Sequence, residues 1–141
     1  MIEIVNRQRK TKLDVEYWRD FAVCAAAEIV EVRGRFFTVA FISDQRMREL
    51  NRDFRGFNST TDVLSFNYEP DEFDDDANNL GDIVISVEQA AKQASDNHLE
   101  LEIEIKQLIL HGILHLCGFD HETDGGLMNA RELELRESLG I

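Results

Sequence analysis

Three histidines fall within eleven residues of this chain, in the run His111-Gly-Ile-Leu-His115-Leu-Cys-Gly118-Phe-Asp-His121, spaced H-x3-H-x5-H. On a helix, residues i and i+4 lie one turn apart on the same face, so the imidazoles of His111 and His115 can converge on one point. Gly118 follows, and glycine lets a helix end in the left-handed conformation and turn sharply. Such a turn can carry His121 back toward the first two. Three neutral imidazoles with a fourth position left open are the donor set of a catalytic zinc ion. Nickel or cobalt would accept the same nitrogens. The remaining histidine, His98, stands before the helix and reads as a surface or capping residue.

The metzincin proteases share this spacing as H-E-x-x-H-x-x-G-x-x-H, with the glutamate as general base. Here Gly112 holds that place. A peptidase would lack its proton acceptor, which makes a protease the less favoured reading. A second set of candidates is basic. Arg48, Arg52 and Arg55 recur at i, i+4 and i+7, forming a stripe along one helix face. A solvated face is the bland alternative, but arginine's planar fork grips phosphate oxygens bidentately, and arginine is concentrated here in an otherwise acidic protein. The 141 residues carry a net charge of −13 that is unevenly placed. Residues 1–60 hold 11 Lys/Arg against 9 Asp/Glu, whereas residues 61–141 hold 4 against 19. Such a chain repels nucleic acid in general, so a polyanionic substrate must meet the first 60 residues.

The elements that position these groups follow from periodicity. Ile2 to Val5 alternates and reads as a short edge strand, followed by a polar connection from Arg7 to Lys12. Apolar residues recur at helical spacing from Leu13 to Val32, with Asp14 as a cap. Phe36 to Ile42 is rich in aromatic and β-branched residues and reads as a buried strand. Ser43 or Asp44 caps a helix to about Phe54, with Met47, Leu50 and Phe54 as its core stripe and the arginines opposite. Thr61 to Phe66 and Leu80 to Ser86 read as strands. Between them, a mobile acidic loop holds Pro70 and the run Asp74-Asp-Asp76, which lacks the ligand spacing of a calcium loop. Val87 to about Asn97 is a modest helix. Glu100 to Leu116 is the longest, apolar nearly all round from Leu108 onward, as a helix central to the domain must be. Leu127 to Leu139 closes the chain.

The expected fold class is therefore α+β. It is a single domain over residues 1–141, with a small mixed sheet of about four strands packed by about five helices and a metzincin-like zinc helix. No apolar run spans a bilayer, and the first residues lack the charged and apolar stretches of a signal peptide. Cys24 and Cys117 sit far apart in apolar helical patterns and read as two buried thiols of a reducing cytoplasm.

Three blocks in order carry a resemblance: Leu50-Asn-Arg-Asp-Phe-Arg55 with Thr61-Asp-Val-Leu-Ser-Phe66, then Leu80-Gly-Asp-Ile-Val-Ile-Ser86, then the histidine run. Over most of its length the chain resembles the YbeY endoribonucleases, bacterial rRNA maturation factors. The resemblance implies that His111, His115 and His121 hold one zinc ion and that Arg55 is a functionally important arginine near it. It also implies a cytoplasmic hydrolase of single-stranded RNA, acting on the 3′ end of 16S rRNA and in ribosome quality control with the small ribosomal subunit and its assembly factors. An assembly factor with a mainly structural zinc is the alternative. Asn67 departs from the family, which often has proline there. Arg48 and Arg52 are expected to bind substrate beside Arg55. Asp120 either orients an imidazole from behind or caps the turn. The pattern sets no oligomeric state.

Overall fold

A computed structural model describes residues 1–70, 77–120 and 122–141. The run Asp74–Asp76 and His121 lie outside the described residues. Four strands form one sheet in the order β1-β2-β4-β3. β1 (Glu3–Asn6), β2 (Phe36–Ile42) and β4 (Asn79–Ser86) run parallel, and β3 (Val63–Asn67) pairs antiparallel with β4. Parallel neighbours need a crossover. α1 (Val15–Glu28) connects β1 to β2, while α2 (Asp44–Arg55) and β3 intervene between β2 and β4. α3 (Val87–Asp96), α4 (Leu101–Leu116) and α5 (Leu127–Leu139) complete the α+β domain expected from the pattern.

Strand alternation divides the core in two. Phe37, Val39 and Phe41 of β2 and Ile83 and Ile85 of β4 face a large cluster with Trp18, Ala22 and Ala25 of α1 and Ile105, Ile109 and Ile113 of α4. Val84 and Leu64 face the other way, onto Met47 of α2. Because successive strand residues point to opposite faces, α4 and α2 lie on opposite sides of the sheet. α4 is the buried centre: Ile105, Ile109, Leu110, Ile113 and Leu114 are all fully enclosed. Asp14 and Ser43 cap α1 and α2 through bonds to Glu16 and Tyr17 N–H and to Arg46 N–H.

Three expectations need correction. α1 stops at Glu28, and a short 3-10 turn over Val30–Val32 follows. Ile29 and Val32 still reach the core, because an i, i+3 spacing serves either helix type. Phe54 is 67% exposed rather than buried. It lies two turns beyond Met47, and its ring meets Phe66 of β3 edge-on at 5.2 Å while staying open to solvent. The interior position is taken instead by Asn51, whose amide donates to the Ser59 carbonyl at 2.8 Å. Cys24 is exposed, because the buried stripe of α1 runs through Trp18, Ala22 and Ala25 on the opposite side. Both cysteines are free, and only Cys117 is partly enclosed, with burial pushing its thiol pKa up.

Candidate active site

His111 and His115 lie at the end of α4, ring centroids 4.7 Å apart and planes inclined at 71°. The helix stops where the sequence demands. Gly118 takes φ 100°, its N–H reaches the His115 carbonyl at 3.0 Å, and Phe119 N–H reaches the Leu114 carbonyl at 3.1 Å. These two bonds are the Schellman ending, which needs a left-handed residue where Gly118 stands. The chain then turns on Asp120. Its carbonyl accepts from Thr123 and Asp124 N–H at 3.2 and 3.1 Å, and its Oδ1 accepts from Glu122 N–H at 3.0 Å. Of the two roles open to Asp120, the described residues supply the turn cap. His98 is exposed with φ 57°, just after α3, as a surface residue should be.

Behind the pair stands a residue that sequence reasoning missed. Glu132 of α5 is 6% exposed, and its Oε1 meets His111 Nδ1. A carboxylate at Nδ1 favours the tautomer that carries the ring proton there, the tautomer in which Nε2 serves as the ligand at metal-binding imidazoles. Arg136 donates to the other carboxylate oxygen at 3.3 Å. Next in the chain, Arg131 grips both oxygens of Glu31 at 2.9 and 3.0 Å, which fixes the rotation of α5 and holds the Glu31 carboxyl below its ordinary pKa. The overlooked signal was a carboxylate inside an apolar stripe: Met128, Glu132 and Leu135 are the buried residues of α5.

Gly112 has a packing reason of its own. A Cβ at that position would lie 2.6 Å from Cγ2 of Ile83, a fully buried residue of β4. The glycine lets α4 press against the sheet, and the glutamate of a metzincin has no room there.

The histidines open onto a cleft of about 640 Å³ lined by residues of β3, the end of α2 and the turn after α4, Arg55 and Asp120 among them. The strand order explains its place. β3 is an edge strand, and residues of β3 line the cleft together with the ends of α2 and α4. The register and the bonds Tyr68 N–H to Leu80 O and Ser86 N–H to Asp62 O direct the backbone groups of Ser65 and Asn67 away from β4. Asn67 donates through Nδ2 to the Leu116 carbonyl at 3.1 Å and ties β3 to the end of the histidine helix. Arg55 lines the cleft, whereas Arg48 and Arg52, though exposed on the same helix, do not. Arg52 pairs with Asp53 at 3.3 Å instead.

The lining sets Asp62, Asp120 and Glu122 against the one arginine. A phosphate would meet net repulsion unless a cation sat among the imidazoles. Zinc fits the donors that are described, two imidazoles sharing one cleft with a carboxylate behind the first. Among the described residues no three such donors gather, and the third predicted ligand, His121, lies outside them. Deeper in, Asp62 Oδ1 accepts from Val63 N–H at 2.8 Å. Oriented to satisfy both neighbours, the Gln93 amide nitrogen donates to Asp62 Oδ2 at 3.0 Å and to Glu104 Oε1 at 2.9 Å. Burial, then the charge of Asp62, raise the Glu104 pKa, with Arg136 opposing.

Comparison with known proteins supplies what geometry alone does not. The family model described as "Endoribonuclease YbeY" matches residues 3–140. An "Endoribonuclease YbeY" of Finegoldia magna is 34% identical over 147 aligned positions, covering 100% of this chain and 95% of that relative. One from Campylobacter fetus is 42% identical, covering 73% and 74%. The solution structure of TM1509 from Thermotoga maritima superposes with a TM-score of 0.67 at 25% identity, covering 99% of this chain and 89% of that one.

Proposed function

The chain belongs to the YbeY endoribonuclease family, and from that premise we propose that it cleaves single-stranded RNA with a zinc ion held by His111, His115 and His121. The substrate we assign is the 3′ end of 16S rRNA, cut during maturation and ribosome quality control alongside the small subunit and its assembly factors. The compartment is the cytoplasm, where free Cys24 and Cys117 fit a reducing environment. Among the described residues no helix is long and apolar enough to cross a membrane.

One observation carries the reading: an arginine and two imidazoles, one of them backed by a buried carboxylate, line a single cleft whose other charged lining residues are acidic. Bound there, zinc supplies Lewis acidity toward a phosphoryl oxygen and toward water. The remaining work belongs to the chain. Arg55 binds the scissile phosphate and offsets the negative charge that builds on its oxygens. Glu132 keeps His111 in one tautomer and orientation. Asn67 and the Gly118 turn hold the end of α4 against β3, so the arginine and the imidazoles keep their separation. Arg48 and Arg52 take flanking phosphates outside the cleft.

The test is Arg55→Ala. Cleavage of a single-stranded rRNA fragment should fall about 10²- to 10³-fold, as when one preorganised donor to a transition-state oxyanion is removed. Zinc content should stay at the wild-type level. Undiminished cleavage would remove Arg55 from the reaction.

A further inference from the structure

Two large apolar side chains remain exposed within two residues of Arg55 in the chain: Phe54 at 67% and Phe57 at 54%. Phe54 already has an aromatic partner in Phe66. Phe57 has none among the described rings, and its environment is of another kind. The Arg55 guanidinium carbon lies over the Phe57 ring at 5.2 Å from its centroid. The same guanidinium lines the cleft that holds His111 and His115. The ring is thus joined to the candidate active site through the side chain that would take the phosphate.

We propose that Phe57 is a stacking platform for a nucleobase of the single-stranded RNA at the cleft. The inference rests on the reading of the protein as an endoribonuclease and adds a contact to the base rather than to the backbone. Single-stranded RNA offers unpaired bases with open faces, and proteins that hold it combine cationic groups for the phosphates with aromatic rings for the bases. Here both stand together, two residues apart and in contact. The ring is also well presented. Gly56 N–H bonds to Arg52 O at 3.0 Å, Phe57 N–H to Asn51 O at 3.4 Å, and the Asn51 amide to Ser59 O at 2.8 Å. These bonds fasten the segment to α2, so little ordering of its backbone is left to be lost when RNA binds. Every base has a π face, so the contact favours single strands over duplex without choosing a sequence.

The experiment uses the full zinc-loaded protein, a single-stranded RNA, and an oligomer of the same length with every base removed. Phe57→Ala should bind the RNA roughly 5- to 150-fold more weakly, the range spanned by loss of one stacked base. It should bind the baseless oligomer as well as wild type does. Phe57→Leu, which keeps apolar bulk without a π face, should share the defect and guards against a folding effect. Phe57→Trp should bind RNA at least as tightly as wild type, with its indole fluorescence quenched by RNA and untouched by the baseless oligomer. If wild type cleaves RNA while Phe57→Ala and Phe57→Leu bind it equally well, stacking is overturned and the enzyme reading stands. An equal loss of affinity for the baseless oligomer also overturns it, as does a tryptophan that responds only to an added protein partner. If wild type neither binds nor cleaves any RNA, the enzyme reading itself falls.

Discussion

Replacing Glu132 with glutamine tests whether α5 takes part in the metal site or merely covers it. The substitution keeps side-chain volume and one oxygen able to accept from His111 Nδ1, but removes the charge that stands behind the ring. Outer partners of metal-bound histidines are worth about 10- to 100-fold in metal affinity. Because one acceptor survives, the lower end applies, so zinc should bind about tenfold more weakly, or about 1.4 kcal/mol. Linkage carries the same quantity into stability. At saturating zinc, the metal-dependent stabilisation of Glu132→Gln should be smaller by that amount, roughly 5 °C in Tm for a domain of this size. Zinc competition against a chromogenic chelator measures the first quantity, and paired melts of apo and loaded protein measure the second. An unchanged zinc affinity with an unchanged apo-to-loaded difference in Tm would refute the positioning role.

Other consequences follow from the packing. Gly112→Ala gains about 1 kcal/mol of helix propensity but drives a methyl against Ile83, and overpacking of a buried contact costs about 1–3 kcal/mol, so a net loss near 1 kcal/mol is expected in denaturant melts. A stabilised variant would show that α4 and β4 are not so close. Glu104→Gln bears on pH: burial holds the Glu104 pKa above its unfolded value, so ionisation costs the fold stability as pH rises through the native pKa. The variant should therefore melt higher than wild type at neutral pH, with the gap closing below the unfolded carboxylate range; a gap that widens in acid would reverse the sign. Asn67→Ala removes the bond to the Leu116 carbonyl and should lose about 1 kcal/mol by thermal melt, with faster amide exchange at the end of α4. Unaltered exchange there would mean that β3 does not fasten the helix.

Much of the architecture was written in local pattern. The period of α4, its apolar surround and the glycine at its end state where the two histidines sit and how the chain leaves them, and the structure follows. Caps at Asp14 and Ser43 were readable for the same reason: one side chain meets N–H groups two or three residues on. What escaped notice depends on distant neighbours. Phe54 fits a helical stripe, yet its ring meets one ring of the sheet and stays open to solvent, and periodicity does not record how much a neighbour covers. Cys24 was misplaced because α1 is apolar on more of its surface than it buries. Glu132 reaches His111 from another helix, and its only local trace is a carboxylate set among buried apolar neighbours. Asn67 stands out in the sequence only as a departure from a frequent proline, but it fastens β3 to α4 across 49 residues. The three arginines make one stripe by spacing, and their positions along α2 separate them: Arg55, at its end, meets the cleft. Among the described residues that line it, Arg55 is the one arginine.

Metal removal, with structure and activity followed together, separates a catalytic zinc from a structural one. Purified protein is stripped with a chelator, its fold is followed by circular dichroism, and cleavage of a single-stranded rRNA fragment is assayed before and after stoichiometric zinc is returned. The stripped protein should keep its helices and sheet, lose RNA cleavage, and regain it on addition of one zinc per chain. Full cleavage by the stripped protein would contradict a catalytic zinc, and so would a chain that unfolds without metal and never cleaves RNA when reloaded.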